Sequence, residues 1–457
     1  MHAIYVSDNI LTMKRLSLVE KIGYGLGDTA SNIVFQVVIN LMVFYYTDVY
    51  GLSAAAVGTL MLVVRAFDAV TDPLMGGIAD RTRTRWGRYR PYLVWIALPY
   101  GIFAVLAFTT PDLSGSGKLV YAYITYALLM TAYTAINIPY SALGGVITGD
   151  TRERASVQSW RFALAMVGGA IVMASIMPLV NFFGAGDQQR GFMFAMMLLA
   201  ALAIVCFIAC FALTTERVEP AEDAVSRNIL SDVVATGRNG PWRLIALATL
   251  VLLISVAMKG GATPYFVTYY LNSEELIGTF LALGALAGVG GALTANWLLK
   301  HFCKVSTMRW AAVGIFVLHV ALFFVPPGAV YLALALSILA TFVHMILIPY
   351  MFSAIADTVD YGIDKYGRGA MAMSFAGHLF ALKIGIAIGG SLVGWVLGYV
   401  DYAPGIEQTE RSLLGIRFLY ALASAAAGII LLFILRSYSL DRDWAESREP
   451  RIKAAPA

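Results

Sequence analysis

The sequence predicts an all-α polytopic membrane protein: twelve transmembrane helices arranged as two six-helix bundles joined by a polar linker. Three observations carry that prediction. Of 457 residues, 59% are hydrophobic and only 13% charged, about half the charged fraction of an average soluble domain, and the mean hydropathy is +0.74. Apolar runs of about 20 residues, the length a helix needs to cross a bilayer, recur along the whole chain. Finally, Ile138-Pro139-Tyr140 returns 210 residues later as Ile348-Pro349-Tyr350, as a duplicated six-helix unit would require. A membrane β-barrel would show short alternating segments instead.

The spans fall at 22–49, 54–79, 91–110, 119–147, 156–184, 190–213, 243–271, 276–300, 306–326, 329–355, 371–399 and 412–436. An even number puts both termini on one side. The loop after the second span holds Arg81, Arg83, Arg85, Arg88 and Arg90; the loops after the fourth and eighth hold Arg152, Arg154, Lys300 and Lys304. The other loops hold little beyond Lys118, Arg190 and Arg411. The positive-inside rule therefore predicts cytoplasmic termini. Residues 214–242, with Glu216, Glu219, Glu222 and Asp223, read as a cytoplasmic linker between bundles at 1–213 and 243–457. Both copies of the repeated tripeptide precede an aspartate by ten residues (Asp150, Asp360) and then a basic residue (Arg154, Arg368). Transporters with repeats of this kind bind substrate near the membrane midplane, between the halves.

The second span holds Arg65-Ala66-Phe67-Asp68-Ala69-Val70-Thr71-Asp72-Pro73. Charge at membrane depth is expensive, so such residues mark ion or substrate paths. Arg65, Asp68 and Asp72 are three and four residues apart and share one helix face. Their formal charges sum to minus one, which a single monovalent cation would neutralise. The competing reading is an internally paired cluster that only locks helices together. Lys259 is a further intramembrane charge. His344 and His378 are candidate proton carriers because imidazole titrates near neutral pH, although a lone helical histidine is more often a packing residue. Cys206, Cys210 and Cys303 match neither a disulfide framework nor a metal site. The first 30 residues lack the pattern of a cleavable signal peptide. A net charge of +4 gives no reason to expect nucleic acid.

Several motifs, weak singly, occur together in order: Lys21-Ile-Gly-Tyr-Gly-Leu-Gly-Asp28, Phe44-Tyr-Tyr-Thr-Asp48, Arg65 to Gly76, Asp80-Arg-Thr-Arg-Thr-Arg-Trp-Gly-Arg88, Asn137-Ile-Pro-Tyr140, Asp357-Thr-Val-Asp-Tyr361, and Ser374-Phe-Ala-Gly with Lys383 to Gly390. From about Lys21 to Tyr438 the chain thus resembles the glycoside–pentoside–hexuronide:cation symporters, the melibiose-carrier branch of the major facilitator superfamily. The match is nearest to bacterial xyloside and pentoside members. The resemblance implies the major facilitator fold with two pseudo-symmetric bundles, in a bacterial inner membrane. It implies a monomeric transporter with no enzymatic activity, and no cofactor beyond a coupling Na+ or H+.

By that resemblance the cation site comprises Asp68, Asp72, Thr71 and Thr134. Oxygen ligands suit a hard cation. The melibiose carrier has an amide where Thr71 stands, so a weaker sodium site with proton competition is expected; for both threonines the alternative is a bond to the helix backbone. The sugar positions correspond to Asn32, Asn137, Arg161 and Lys383, with Trp160 a candidate stacking platform or interfacial anchor. Asparagine replaces both acids of the melibiose carrier, which argues against a galactoside pocket and for a neutral pentoside or glucoside, with a uronate tolerated. Arg161 and Lys383 could equally be interhelical ion-pair partners. Asp28 reads as structural or gating. Arg65, Asp80 and Arg81 belong to a charge network, the last two within the superfamily's cytoplasmic loop motif.

The resulting expectation is cation:sugar symport by alternating access. The rivals are a lipid or amphiphile carrier on the same fold, which should lack hydroxyl-binding residues such as Asn32, Asn137 and Arg161, and a non-transporting sugar sensor. An intramembrane enzyme would need a nucleophile–base pair or metal ligands at helical spacing, and none is found.

Overall fold

A computed structural model describes residues 16–148, 151–218, 229–366 and 371–440. Asp150 and Arg368 of the proposed repeat, and Glu219, Glu222 and Asp223 of the linker, lie outside these residues. The described chain is helical: α1 (Leu18–Phe44), α2 (Ala54–Arg81), α3 (Tyr92–Trp95), α4 (Ala97–Ala107), α5 (Gly115–Val146), α6 (Thr151–Gly184), α7 (Gln188–Leu213), α8 (Ile229–Arg238), α9 (Gly240–Tyr265), α10 (Ile277–His301), α11 (Lys304–Phe323), α12 (Val330–Tyr366), α13 (Met371–Tyr399), α14 (Glu410–Arg417) and α15 (Ala423–Arg436).

Among the described residues ten helical segments are long and apolar enough to cross a membrane. Two of the twelve expected spans stand apart for physical reasons. Helix α2 has the length but carries Arg65, Asp68, Asp72, Asp80 and Arg81. The third expected span is broken at Ile96 into α3 and α4. Pro99 has no N–H to offer the carbonyl of Trp95, and the helix is interrupted at that missing bond. Hydropathy also underestimates lengths. Helix α12 runs to Tyr366, well past the expected end at 355, because helical hydrogen bonding continues through the polar sequence Asp357-Thr-Val-Asp-Tyr361. Asp360 is therefore helical rather than in a loop.

The chain divides into two compact units. The first comprises Met1–Val38 and Phe67–Val225. Its core is tied across helices by aromatic side chains. Tyr24 and Tyr140 stack at 4.8 Å between ring centroids, Tyr140 donates to the Tyr24 carbonyl at 2.7 Å, and Tyr100 donates to the Ser31 carbonyl at 3.1 Å. Beyond α7 the chain continues as an extended strap. There the Glu216 carboxylate accepts from three consecutive backbone amides, those of Arg88, Tyr89 and Arg90, at 2.8, 2.7 and 2.9 Å. The Arg217 amide bonds the Val146 carbonyl, and its guanidinium pairs with Glu20. The expected linker is thus a strap over 214–218 followed, after the undescribed residues, by helix α8.

The second unit comprises Ile39–Ala66 and Ser226–Ala457. The division at 225/226 falls inside the expected linker, but the end of α1 and the first half of α2 group with this unit rather than with residues 1–213. Glycines explain the close packing of α2 on α13. A Cβ on Gly394 would lie 2.5 Å from the Ala54 carbonyl and the Gly58 amide, so only glycine permits this approach. Helix α9 packs on α13, α10 on α12 and α11 on α15.

A local geometry occurs twice in this unit. Helices α1 and α9 each end in a π-helical turn, Tyr45–Val49 and Phe266–Tyr270. Each turn is followed by a residue with positive φ (Gly51, +78°; Asn272, +49°). Each is closed by an amide bond back to the turn, Leu52 to Tyr46 at 2.8 Å and Ser273 to Val267 at 3.0 Å. Inside the first turn, Asp48 accepts from Tyr269 and Tyr402, each at 2.5 Å. Burial, then the Asp48 charge, hold the Tyr402 phenol above its ordinary range.

We expect Gly394→Val to lower the midpoint of thermal unfolding in detergent, at a cost of about 2 kcal/mol or more, since overpacking against backbone has no cheap relaxation. Gly390→Ala on the same helix, where a Cβ meets nothing within 4 Å, should leave the midpoint in place.

Candidate functional site

The first unit brings together the end of α2 and the middle of α5. Asp68 and Asp72 lie one turn apart on α2, and Thr134 faces them from α5. Its hydroxyl lies 2.6 Å from Asp68 Oδ1 and 3.0 Å from Asp72 Oδ1. Asp68 and Thr134 are each only 2% exposed; Asp72 is half-buried. A hydroxyl carries one hydrogen, so it can donate to one of these oxygens at a time. The three groups thus place several oxygen atoms around one buried point. Thr71, on the same turn, donates to the Asp68 carbonyl at 2.9 Å. Its hydrogen is committed to the backbone, and only its lone pairs could face an ion. Arg65 is buried on α2, at 8% exposure.

A second polar group sits on α1, α5 and α6. Arg161 Nε donates to Asp28 Oδ2 at 2.9 Å, with both side chains largely buried. The guanidinium also lies over the Tyr140 ring at 5.0 Å. Asn137 donates to the Ser31 hydroxyl at 3.1 Å, and Asn32 donates to the Asp28 carbonyl at 3.0 Å. Three of the expected sugar residues, Asn32, Asn137 and Arg161, therefore converge on one face of α1, between Asp28 and Asn32. Asp28 is the organiser of this group, holding Arg161 with its carboxylate and Asn32 with its carbonyl. Trp160 is exposed. Lys383 is half-buried on α13 in the second unit. Arg81 is exposed at the end of α2, where Asp80 also lies. Among the described residues no group of three or more His, Cys, Asp or Glu side chains could hold a metal ion.

The family model described as "MFS/sugar transport protein" matches residues 23–442. The chain is 42% identical to the inner membrane symporter YicJ of Escherichia coli (strain K12), over 93% of this chain and 92% of that protein. It is 31% identical to the isoprimeverose transporter of Lactiplantibacillus pentosus, over 93% and 89% of the two chains. This chain belongs to the glycoside–pentoside–hexuronide:cation symporter family of the major facilitator superfamily. Its fold is similar to that of a D-xylose-proton symporter, whose crystal structure superposes with a TM-score of 0.60 at 14% identity, covering 92% of this chain and 96% of that one.

The partners of several residues of this symporter are not encoded in local sequence. The pairing of Asp28 with Arg161 joins residues 133 apart, and no local spacing encodes it. Glu216 reads as one more acid in a polar stretch, yet it gathers three amides. His319, fully buried on α11, carries no motif. The one available signal for Asp28 is its place four residues before Asn32, on the same helix face.

The buried Asp28–Arg161 pair sets an expectation for stability. Asp28→Asn and Arg161→Gln should each cost about 3 kcal/mol by stranding the other partner. The double variant should recover part of that loss, giving a coupling energy of about 1–3 kcal/mol in a double-mutant cycle of detergent unfolding.

Proposed function

We propose that this protein is a secondary active transporter that couples inward movement of Na+ or H+ to uptake of a glycoside or pentoside by alternating access. The observation that carries the ion half of the reading is the convergence of Asp68, Asp72 and Thr134 at one buried point. The cation bound there offsets carboxylate charge at membrane depth, where charge is costly. Thr71 contributes through its lone pairs alone, because its hydrogen goes to the Asp68 carbonyl. The sugar half rests on Asn32, Asn137 and Arg161 in the first unit, with Lys383 and Trp160 assigned by family resemblance. Asparagine amides donate and accept, which suits sugar hydroxyls. Because Arg161 already has a carboxylate partner in Asp28, the geometry favours an uncharged glycoside over a uronate. The isoprimeverose transporter named above makes a glycoside of that type the first to test.

In this reading the chain forms twelve membrane helices in two six-helix bundles, 1–213 and 243–457, joined by the 214–242 linker. The bundles are pseudo-symmetric. Both termini face the cytoplasm, and the protein works as a monomer in a bacterial inner membrane. Asp80 and Arg81, at the end of α2, belong with Arg65 to the charge network that changes during switching. Ion and sugar favour each other's binding by the same factor, as linkage requires. The half-loaded carrier is held back from crossing because it would carry either unbalanced charge or unpaired polar groups into the membrane.

Proteoliposome uptake of radiolabelled isoprimeverose tests the reading, with an inward sodium gradient, an inward proton gradient, or neither. We expect accumulation above equilibrium with one of the gradients, and an increase in sugar affinity of about 5- to 150-fold when that ion is present. Asp72→Asn should abolish accumulation while leaving equilibrium exchange of the sugar measurable. Uphill accumulation by the Asp72→Asn protein would refute the assigned ion site. A Thr134→Ala variant that retains full ion dependence would exclude its hydroxyl from that site.

A further inference from the structure

The second unit contains a buried basic cluster that the symport reading does not use. Lys259 lies inside the span Gly240–Tyr270 and is 7% exposed. Its Nζ donates to the Ser337 carbonyl at 3.0 Å and to the Thr341 hydroxyl at 2.7 Å. It also lies 5.9 Å from the centre of the Tyr420 ring. Thr341 spends its own hydrogen on the Ser337 carbonyl, at 2.9 Å, so both contacts need a hydrogen from the lysine. A neutral amine supplies those two hydrogens and keeps a lone pair; the third hydrogen of an ammonium would meet only the Tyr420 ring.

One turn along α12 from Thr341 stands His344, 2% exposed, and His319 of α11 is fully buried beside it. Their rings meet edge to face at 5.0 Å. His344 Nδ1 bonds the Ala340 carbonyl at 3.0 Å, and its Nε2 lies 3.0 Å from the Ser255 hydroxyl. A carbonyl only accepts, so Nδ1 carries the hydrogen and Nε2 accepts from Ser255; both nitrogens are in use. His319 Nδ1 likewise bonds the Ile315 carbonyl at 2.8 Å. That leaves His319 Nε2 as a buried lone pair with no partner, a costly state for a polar atom.

The groups that face this cluster are known from each side. Helix α12 offers Ser337, Thr341 and His344, α11 offers His319, α9 itself offers Ser255, and the turn before α15 offers Tyr420. Among the described residues no carboxylate bonds Lys259, His319 or His344. A second positive charge beside the first would be repelled in this low-dielectric interior. The neutral cluster thus has two open lone pairs, on Lys259 Nζ and His319 Nε2, and electrostatics allows one of them to be filled.

We propose that Lys259 and His319 form a proton-binding site in the second unit that takes up one proton, held on Nζ or Nε2, independently of Asp68 and Asp72. The proton comes from the aqueous phase, and no other bond forms or breaks. A carrier of this design holds two separate ionic loads, one on carboxylates and one on bases.

The test reads protons directly and needs no sugar. Purified protein in weakly buffered, sodium-free detergent solution is stepped from about pH 9 to about pH 5, and the protons taken up are counted with an indicator dye. The double variant Lys259→Met/His319→Gln should take up about one proton per chain fewer than the wild type, whereas each single variant should match the wild type, because the remaining base holds the shared proton. The same difference should appear in an Asp68→Asn/Asp72→Asn background, which separates this site from the carboxylate site. A difference of zero, or of two, between the double variant and the wild type overturns the proposal. So does loss of the difference in the carboxylate-free background. Should the double variant fail to fold, wild-type protein labelled on lysine and histidine nitrogen decides by NMR over the same range. Changes that sum to one proton over Lys259 and His319 support the shared site; a sum of none, or of two, overturns it.

Discussion

One hydroxyl shared by two carboxylates is the constraint on which the candidate ion site rests. Thr134 reaches both Asp68 and Asp72 but donates to only one at any moment. Two carboxylates on one buried turn repel each other, a repulsion that a cation would relieve. The rest of the first unit serves that geometry. Helix α2 must bring two residues one turn apart to face α5, and α5 must be held against α1. The reciprocal Tyr24–Tyr140 contacts hold α1 to α5. Tyr140 in turn underlies the Arg161 guanidinium, which Asp28 pins from α1. The candidate ion and sugar groups therefore share helix α5, with Thr134 and Asn137 three residues apart on it. A movement of α5 that tightens one group is felt by the other, which is the physical content of reciprocal coupling between ion and sugar.

The sequence carried the helical architecture because hydrophobic length is a local property that the bilayer imposes on each span. It carried Asp68 and Asp72 for the same reason: carboxylates one turn apart in an apolar run are visible without any knowledge of the fold. Thr134 entered through family resemblance, since nothing in its own neighbourhood marks it. What stayed hidden was pairing at long range. Arg161 read equally as a sugar ligand or an ion-pair partner, and only the packing of α6 on α1 brings Asp28 to it. Thr71 read equally as a ligand or a back-bonded residue, and the rotamer that donates to the Asp68 carbonyl is a matter of side-chain geometry. The break at Ile96 stayed hidden, because hydropathy averages over a proline and other helices of this chain run through one.

Two repeats in this chain differ in what they keep. Ile-Pro-Tyr persists as letters, yet its two tyrosines do different work. Tyr140 stacks on Tyr24 in the first unit, and Tyr350 packs in the apolar core of the second. The π-helical turns at Tyr45–Val49 and Phe266–Tyr270 share few letters but the same hydrogen-bond closure and the same positive-φ residue. Backbone geometry tolerates substitution wherever glycine or asparagine can take the left-handed position, so it outlasts the side chains. The first of these turns carries Asp48 and the second Tyr269, which are bonded to each other.

In the first unit the buried acids Asp28 and Asp68 have guanidinium and hydroxyl partners. In the second unit Asp48 accepts from tyrosine hydroxyls, whereas the cluster around Lys259 is basic and bonded to carbonyls and hydroxyls, with His319 Nε2 left unbonded and no acid bonded to its members among the described residues. An acidic site gains affinity for a cation as its solvent is withdrawn, provided the cation comes with it; a basic site under the same withdrawal releases its proton, because the charged form loses solvation.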